Sequence, residues 1–229
     1  MTGHFTRFVP FRIRNATLST IHKYSFPRAL RRIASLAPTQ IPNRDLLESL
    51  RAGWENDAWC GCTDYLEEVV KWAAVTPGPI LECGSGITTI LLGLFAGRRD
   101  IPIWSLEHDV NWHERMTRIL QNHRILGVEI CLAPLRNYGN YFWYDPPLDR
   151  MPASFGLVVC DGPPQVSTPG ERYGLLPVMR DHLGSNTTIL LDDTGVEDSV
   201  LLRWLAERSA TPKFFEDEAS HSFASIVLD

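Results

Sequence analysis

Three short segments of the chain set carboxylates next to turns where strands end, a pattern suited to gripping a nucleoside and acting on a group beside it. The run Ile80-Leu81-Glu82-Cys83-Gly84-Ser85-Gly86-Ile87-Thr88-Thr89 passes from an apolar strand through a glycine turn into a helix. Glycines at 84 and 86 let the backbone turn tightly and approach a ligand closely, at the sheet edge where open α/β folds bind cofactors. Thr89 stands where the dinucleotide fingerprint G-x-G-x-x-G needs its third glycine, and Glu82 lies two residues ahead of the first. The second segment ends Trp104-Ser105-Leu106-Glu107-His108, so that Glu107 sits at a strand tip and can accept both hydroxyls of a ribose. His108 is either a neighbour in an adenine pocket or a surface histidine. In the third, Phe155 to Cys160 runs into Asp161-Gly162-Pro163-Pro164, which puts a carboxylate over the cleft ahead of a loop stiffened by prolines.

The E-x-G-x-G arrangement of Glu82, Gly84 and Gly86 resembles the first motif of the class I S-adenosylmethionine-dependent methyltransferases. The resemblance spans roughly Thr63 to Asp229 and implies S-adenosylmethionine as cofactor. Glu82 is then expected near its amino-acid moiety, with Gly84, Ser85, Gly86, Thr88 and Thr89 along its adenosyl part. Glu107 takes the ribose with His108 beside it, and Asp161 lies next to the reactive methyl. Methyl transfer is an in-line displacement, so the protein has to align, desolvate and, for a hydroxyl acceptor, deprotonate. Asp161 is the expected catalytic residue for that last task.

Ile189-Leu190-Leu191-Asp192-Asp193 delivers two more acids to the same edge. Asp161, Asp192 and Asp193 are expected to converge, and a hard divalent cation such as Mg²⁺ relieves carboxylates held that close. The set is similar to that of the divalent-metal-dependent O-methyltransferases, with Asp193 in a place that takes Asp or Asn. The alternative is that Asp192 or Asp193 caps the following helix.

The expected activity is O-methylation of a hydroxyl on a small molecule or sugar. A non-catalytic cofactor-binding scaffold or sensor and an NAD-dependent oxidoreductase stay open as alternatives. Nucleic acid is disfavoured as acceptor, because the body of the chain is acidic and Asp161-Gly162-Pro163-Pro164 departs from the adenine-methylating Asn/Asp-Pro-Pro-Tyr/Phe tetrad at its second and fourth places. Arg172 and Tyr173 either recognise the acceptor or anchor their loop. Tyr138, Tyr141, Phe142, Trp143 and Tyr144 either line a pocket or pack against a neighbouring helix or subunit, and Trp54 with Trp59 can form a lid.

Apolar runs alternating with amphipathic stretches supply the elements that must hold these groups. Strands are expected at Ile80–Glu82, Ile101–Leu106, Val128–Leu132, Phe155–Cys160 and Thr187–Leu191. Helices are expected at about Asp64–Ala74 (capped by Thr63), Thr88–Ala96, Asn111–Asn122, Tyr173–His182 and Val196–Arg208. Asn137 to Asp149 reads as a loop, and Lys213–Glu216 with Phe223–Leu228 as a closing hairpin. The fold class is therefore α/β: a Rossmann-like, doubly wound, mostly parallel seven-stranded sheet with a C-terminal antiparallel hairpin.

The 229 residues suit one cofactor domain, residues 51–229, after a basic extension, residues 1–50. Residues 1–44 carry eight basic groups (Arg7, Arg12, Arg14, Lys23, Arg28, Arg31, Arg32, Arg44) and no acid, leaving 14 basic against 27 acidic groups downstream. Such an arm can fold back on its own acidic domain as a helical cap, touch an acidic partner or an anionic membrane surface, or act as an organelle transit segment. Arg7, Arg12 and Arg14 interrupt the apolar run a secretory signal needs, and no run is long enough to span a membrane. Cys83, Cys131 and Cys160 read as small core residues in a reducing, cytoplasmic setting. Cys60-Gly61-Cys62 lacks a second ligand pair at metal spacing. A homo-oligomer is compatible with all of this.

Overall fold

In the computed structural model the described residues are 25–54, 60–217 and 220–229. The basic groups at 7, 12, 14 and 23, and Trp59 as a lid, lie outside them. A helical stretch, residues 25–34, is followed by α1 (Arg44–Ala52) and α2 (Thr63–Val75). Strand β1 (Ile80–Cys83), helix α3 (Ile87–Phe95), β2 (Ile103–Glu107), α4 (Val110–His123) and β3 (Val128–Leu132) come next. A small hairpin of β4 (Leu135–Asn137) and β5 (Phe142–Tyr144) precedes β6 (Phe155–Cys160). The chain ends with α5 (Leu175–Met179), β7 (Leu183–Leu191), α6 (Ser199–Glu207), β8 (Ala210–Glu216) and β9 (Ser222–Leu228).

Seven strands form one sheet in the order β3-β2-β1-β6-β7-β9-β8. Its first five are parallel, and β9 runs antiparallel to both β7 and β8, as the expected closing hairpin requires. Side chains alternate between the two faces along each strand, and each face has its own core. Ile80, Leu157, Val159 and Leu190 join α2, α3 and α4 on one side. Leu81, Cys83, Val158, Cys160, Ile189 and Leu191 join α5, α6 and the β4–β5 hairpin on the other. That double burial explains why these strands read as unbroken apolar runs. Cys83, Cys131 and Cys160 are buried free thiols in the second core.

Several boundaries move for local reasons. Cys62, not Thr63, caps α2, its sulfur accepting the Tyr65 N–H at 3.3 Å. Neither Asp192 nor Asp193 caps a helix: α6 starts later than expected because Asp198 accepts the Leu201 N–H at 2.9 Å. The expected loop after β3 contains a hairpin strand, Phe142–Tyr144, whose aromatic residues suit a pleated, half-buried surface. The helix between β6 and β7 is one short turn, Leu175–Met179, extended by a 3₁₀ turn.

Residues 26–50 share the first core. Leu30, Ile33, Leu47 and Leu50 are buried with α2 and α3, each side chain contributing about 1.5–3 kcal/mol relative to an exposed position. The described part of the basic extension thus packs against the cofactor domain. Among the described residues no helix is long and apolar enough to cross a membrane.

Candidate functional site

Strand register assembles the site. Cys83 pairs with Cys160 and Cys160 with Leu191, so Gly84, Asp161 and Asp192 leave the sheet side by side. Glu107 leaves β2 next to them. A cleft of about 710 Å³ opens along this C-terminal edge, a size typical of sites for cofactors and small molecules.

The glycine turn forms one wall. Gly84 has φ +91°, the left-handed region that glycine adopts without strain, and a side chain there would press on the Gly162 backbone. Gly162 is constrained in turn, since a Cβ would lie 2.3 Å from the Tyr144 hydroxyl. Gly86 faces open space. Glu107 accepts the Ser85 hydroxyl at 2.6 Å, the Ser85 N–H at 3.2 Å and the Asp109 N–H at 2.9 Å, with His108 Nδ1 3.3 Å away. Burial alone would raise its pKa, but His108, Ser85 and the Asp109 amide outweigh it and hold the carboxyl below its ordinary value. Glu107 is thus an ionised acceptor at the cleft wall, fit to take ribose hydroxyls. Trp112 adds a flat apolar face, fixed by its Nε1–H donating to Ser85 O at 2.8 Å.

Glu82 stands behind the glycine turn. It is fully buried and absent from the cleft wall, accepting the Thr89 hydroxyl at 2.6 Å and the Ser105 hydroxyl at 2.5 Å. Thr89, also buried, accepts the Gly86 N–H at 2.8 Å. The acid therefore braces the glycine turn through Thr89. Burial pushes Glu82 up to about 7 against those hydroxyls, which favour its charged form.

The opposite wall is a charge network centred on Arg172. This guanidinium is 3% exposed and donates to Asp161 Oδ1 at 3.1 Å, Asp161 O at 2.6 Å, Asp193 Oδ2 at 3.2 Å and the Asp192 carbonyl. His221 Nε2 lies 2.9 Å from Asp193 Oδ1 and 3.7 Å from Asp192 Oδ1. Burial raises Asp161 despite Arg172, and raises Asp192 further with Asp161 and Asp193 nearby. Asp193 is lowered, first by its hydrogen bond to His221. Asp192 and Asp193 lie with His221 within ligand distance of one another, and Arg172 bridges Asp193 to Asp161. The Arg172 guanidinium lies between the Asp161 and Asp193 carboxylates and supplies a compensating positive charge from the protein itself.

Gly84, Ser85, Gly86, Thr88, Glu107, His108, Asp161, Asp192 and Asp193 all line the cleft, whereas Glu82 and Thr89 stand behind it. Of the aromatic cluster only Tyr144 reaches the cleft. Trp143 is core, and Tyr138 stacks on Tyr141 away from it. Trp54 is a buried wall against Phe26 and Trp112, not a lid. Tyr173 anchors its loop through Glu207, 2.7 Å away. Sequence reasoning missed Arg51, Trp112, Gln165 and His221. Of these, only Trp112 carried a signal, as an aromatic in the first turn after Glu107.

No family model matches the chain, and no curated protein matches it. Among solved structures, an S-adenosylhomocysteine-bound methyltransferase of Podospora anserina is 14% identical, covers 100% of each chain and superposes with a TM-score of 0.56. The C-terminal domain of precorrin-6Y C5,15-methyltransferase from Rhodobacter capsulatus is 13% identical over 78% of this chain and 95% of its own, with a TM-score of 0.54. A ribosomal protein L11 methylase from Lactobacillus delbrueckii subsp. bulgaricus is 13% identical over 77% and 81%, at 0.52. The chain has the Rossmann-like fold of the class I S-adenosylmethionine-dependent methyltransferases.

Proposed function

We propose that the chain is an S-adenosylmethionine-dependent methyltransferase whose acceptor is a hydroxyl of a small molecule or sugar. The observation that carries this reading is the single cleft that has an ionised ribose acceptor, Glu107, on one wall and the Asp161–Arg172 pair on the other. The antiparallel β9 between β7 and β8 departs from the all-parallel order of dinucleotide-binding sheets, which weighs against the oxidoreductase alternative.

Bound S-adenosylmethionine supplies a methyl carbon activated by its sulfonium. Ser85, Gly86 and Glu107 hold the adenosyl and ribose groups, while Trp112 and Tyr144 exclude water. With the cofactor bound, Asp161 would accept the acceptor's hydroxyl proton, leaving the acceptor oxygen as the nucleophile for the methyl group. Its raised pKa makes the carboxylate a stronger proton acceptor. Arg172 orients Asp161 and offsets charge around it.

Calorimetric titration with S-adenosylhomocysteine and with NAD tests the cofactor: binding of the first and not the second is expected. A panel of hydroxylated small molecules, followed by release of S-adenosylhomocysteine, identifies the acceptor. Asp161→Asn should retain cofactor binding and lower turnover roughly 10²–10⁴-fold. Full turnover in that variant removes Asp161 as the base, and absence of S-adenosylhomocysteine binding removes the reading as a whole.

A further inference from the structure

The Cys62 thiol, unused by the mechanism above, sits just behind the cleft at the N-terminus of α2. The turn joining β8 to β9 carries Asp217 and His221 to it. Cys62 Sγ, a carboxylate oxygen of Asp217 and a ring nitrogen of His221 all lie within 4.8 Å of one another. His221 is oriented from the other side: its Nε2 is 2.9 Å from Asp193 Oδ1, which leaves Nδ1 as the nitrogen available to a ligand. That Nδ1 atom is buried and has no hydrogen-bond partner of normal geometry.

We propose that Cys62, Asp217 and His221 form a binding site for a thiophilic divalent cation, Zn²⁺ being the best chemical match, which fastens the β8–β9 turn to the N-terminus of α2. A mixed sulfur, nitrogen and oxygen set suits Zn²⁺ and excludes Mg²⁺, which takes oxygen ligands. Tetrahedral Zn²⁺ with bonds of about 2.0–2.3 Å has edges of roughly 3–4 Å, so the present separations need only small side-chain movements to close on an ion. A carboxylate on the far nitrogen of a ligating histidine is the usual device for fixing its ring and tautomer, and Asp193 occupies that position. The Tyr65 N–H on Cys62 Sγ favours the thiolate that such an ion requires. The backbone fixes the other two ligands relative to each other: the Asp217 N–H donates to His221 O, and the His221 N–H to Asp217 Oδ1, both at 2.9 Å. Asp192, Asp193 and His221 also lie within ligand distance, but an ion there would face the Arg172 guanidinium and take the nitrogen already paired with Asp193.

Binding replaces a proton on His221 Nδ1 and one on the thiol by the metal, so protons are released. The site does not depend on methyl transfer and is tested without turnover. The full chain, stripped with a chelator, is titrated with Co²⁺ and then Zn²⁺. One Co²⁺ per chain is expected, with the intense visible bands of tetrahedral cobalt and a near-ultraviolet thiolate-to-cobalt charge-transfer band, all removed by one equivalent of Zn²⁺. Zn²⁺ should also raise the melting temperature. Cys62→Ser should abolish the charge-transfer band, and His221→Gln should weaken binding at least tenfold. Cys60→Ser should retain both, and Asp193→Asn should weaken binding roughly 10–100-fold. Circular dichroism of each stripped variant verifies folding. A wild-type chain that binds no Co²⁺, or a charge-transfer band that survives in folded Cys62→Ser, overturns the proposal.

Discussion

Glu107 and Asp161 both end parallel strands on one cleft, yet the first is held by several separate groups and the second chiefly by one. Glu107 is satisfied by Asp109 two residues on, by His108, and by Ser85 in the turn of the adjacent strand. Asp161 relies on Arg172, eleven residues away across the loop, which also holds Asp192 and Asp193 from the next strand. His108, the Ser85 hydroxyl and the Asp109 amide together outweigh burial and lower the first acid, whereas the second stays raised by burial in spite of a guanidinium. A wall built from several separate donors can be altered one residue at a time. A wall built on a single buried cation fails together when that cation is removed.

The largest effect is therefore expected from Arg172→Ala. It leaves the partly exposed Asp161 and Asp193 carboxylates without the guanidinium and the Asp192 carbonyl without its donor, and should cost about 3 kcal/mol of stability, the low end for a buried pair because solvent reaches both carboxylates, measured by urea denaturation at neutral pH. A loss below about 1 kcal/mol would show that solvent, and not Arg172, balances the acids.

Glu82 offers a second contrast, as a buried acid with hydroxyl partners and no cation. Its pKa rises from an ordinary 4.5 to about 7 in the folded protein. Between those values the unfolded chain has lost a proton that the native state still holds, so this group makes stability fall as pH rises from about 4.5 to 7, and adds no slope beyond. Glu82→Gln should be free of that slope, gaining on the wild type by up to about 3 kcal/mol across the window in denaturation curves taken at several pH values. Parallel curves for the two proteins would mean that Glu82 is charged when buried.

Glu107→Ala should weaken S-adenosylhomocysteine binding by about 1.5–3 kcal/mol, because charged hydrogen bonds to two hydroxyls are lost. Calorimetry with a folded variant checks it, and unchanged affinity would move the ribose to another part of the cleft. The smallest effect belongs to Asp109→Ala, which removes the 2.7 Å cap on the Trp112 N–H. About 1 kcal/mol of stability should go, with a slight loosening of cofactor binding through Trp112, visible in its fluorescence.

The sequence by itself determined the parallel strands and the groups on their tips. Strands buried on both faces must be apolar throughout, and an acid or glycine at the end of such a run, as at Gly84, Glu107, Asp161 and Asp192, stands out without any knowledge of contacts. What those groups touch was not legible. Glu82 and Glu107 are both strand acids, yet one braces a turn from inside and the other faces the cleft, because side-chain direction depends on the pleat and on which helix covers it. Arg172 could be read from sequence as an acceptor contact or a loop anchor, and only the fold of the loop carries it under three aspartates. His221 lies in a polar turn with no local motif, and the antiparallel placement of β9 beside β7 brings it to Asp193 and Cys62. Residues 26–50 likewise looked like a basic appendage by charge, while their apolar positions complete the first core. Local chemistry follows from neighbours in the chain. Compensation of buried charge and sharing of a core are contacts between distant segments, and tertiary packing alone decides them.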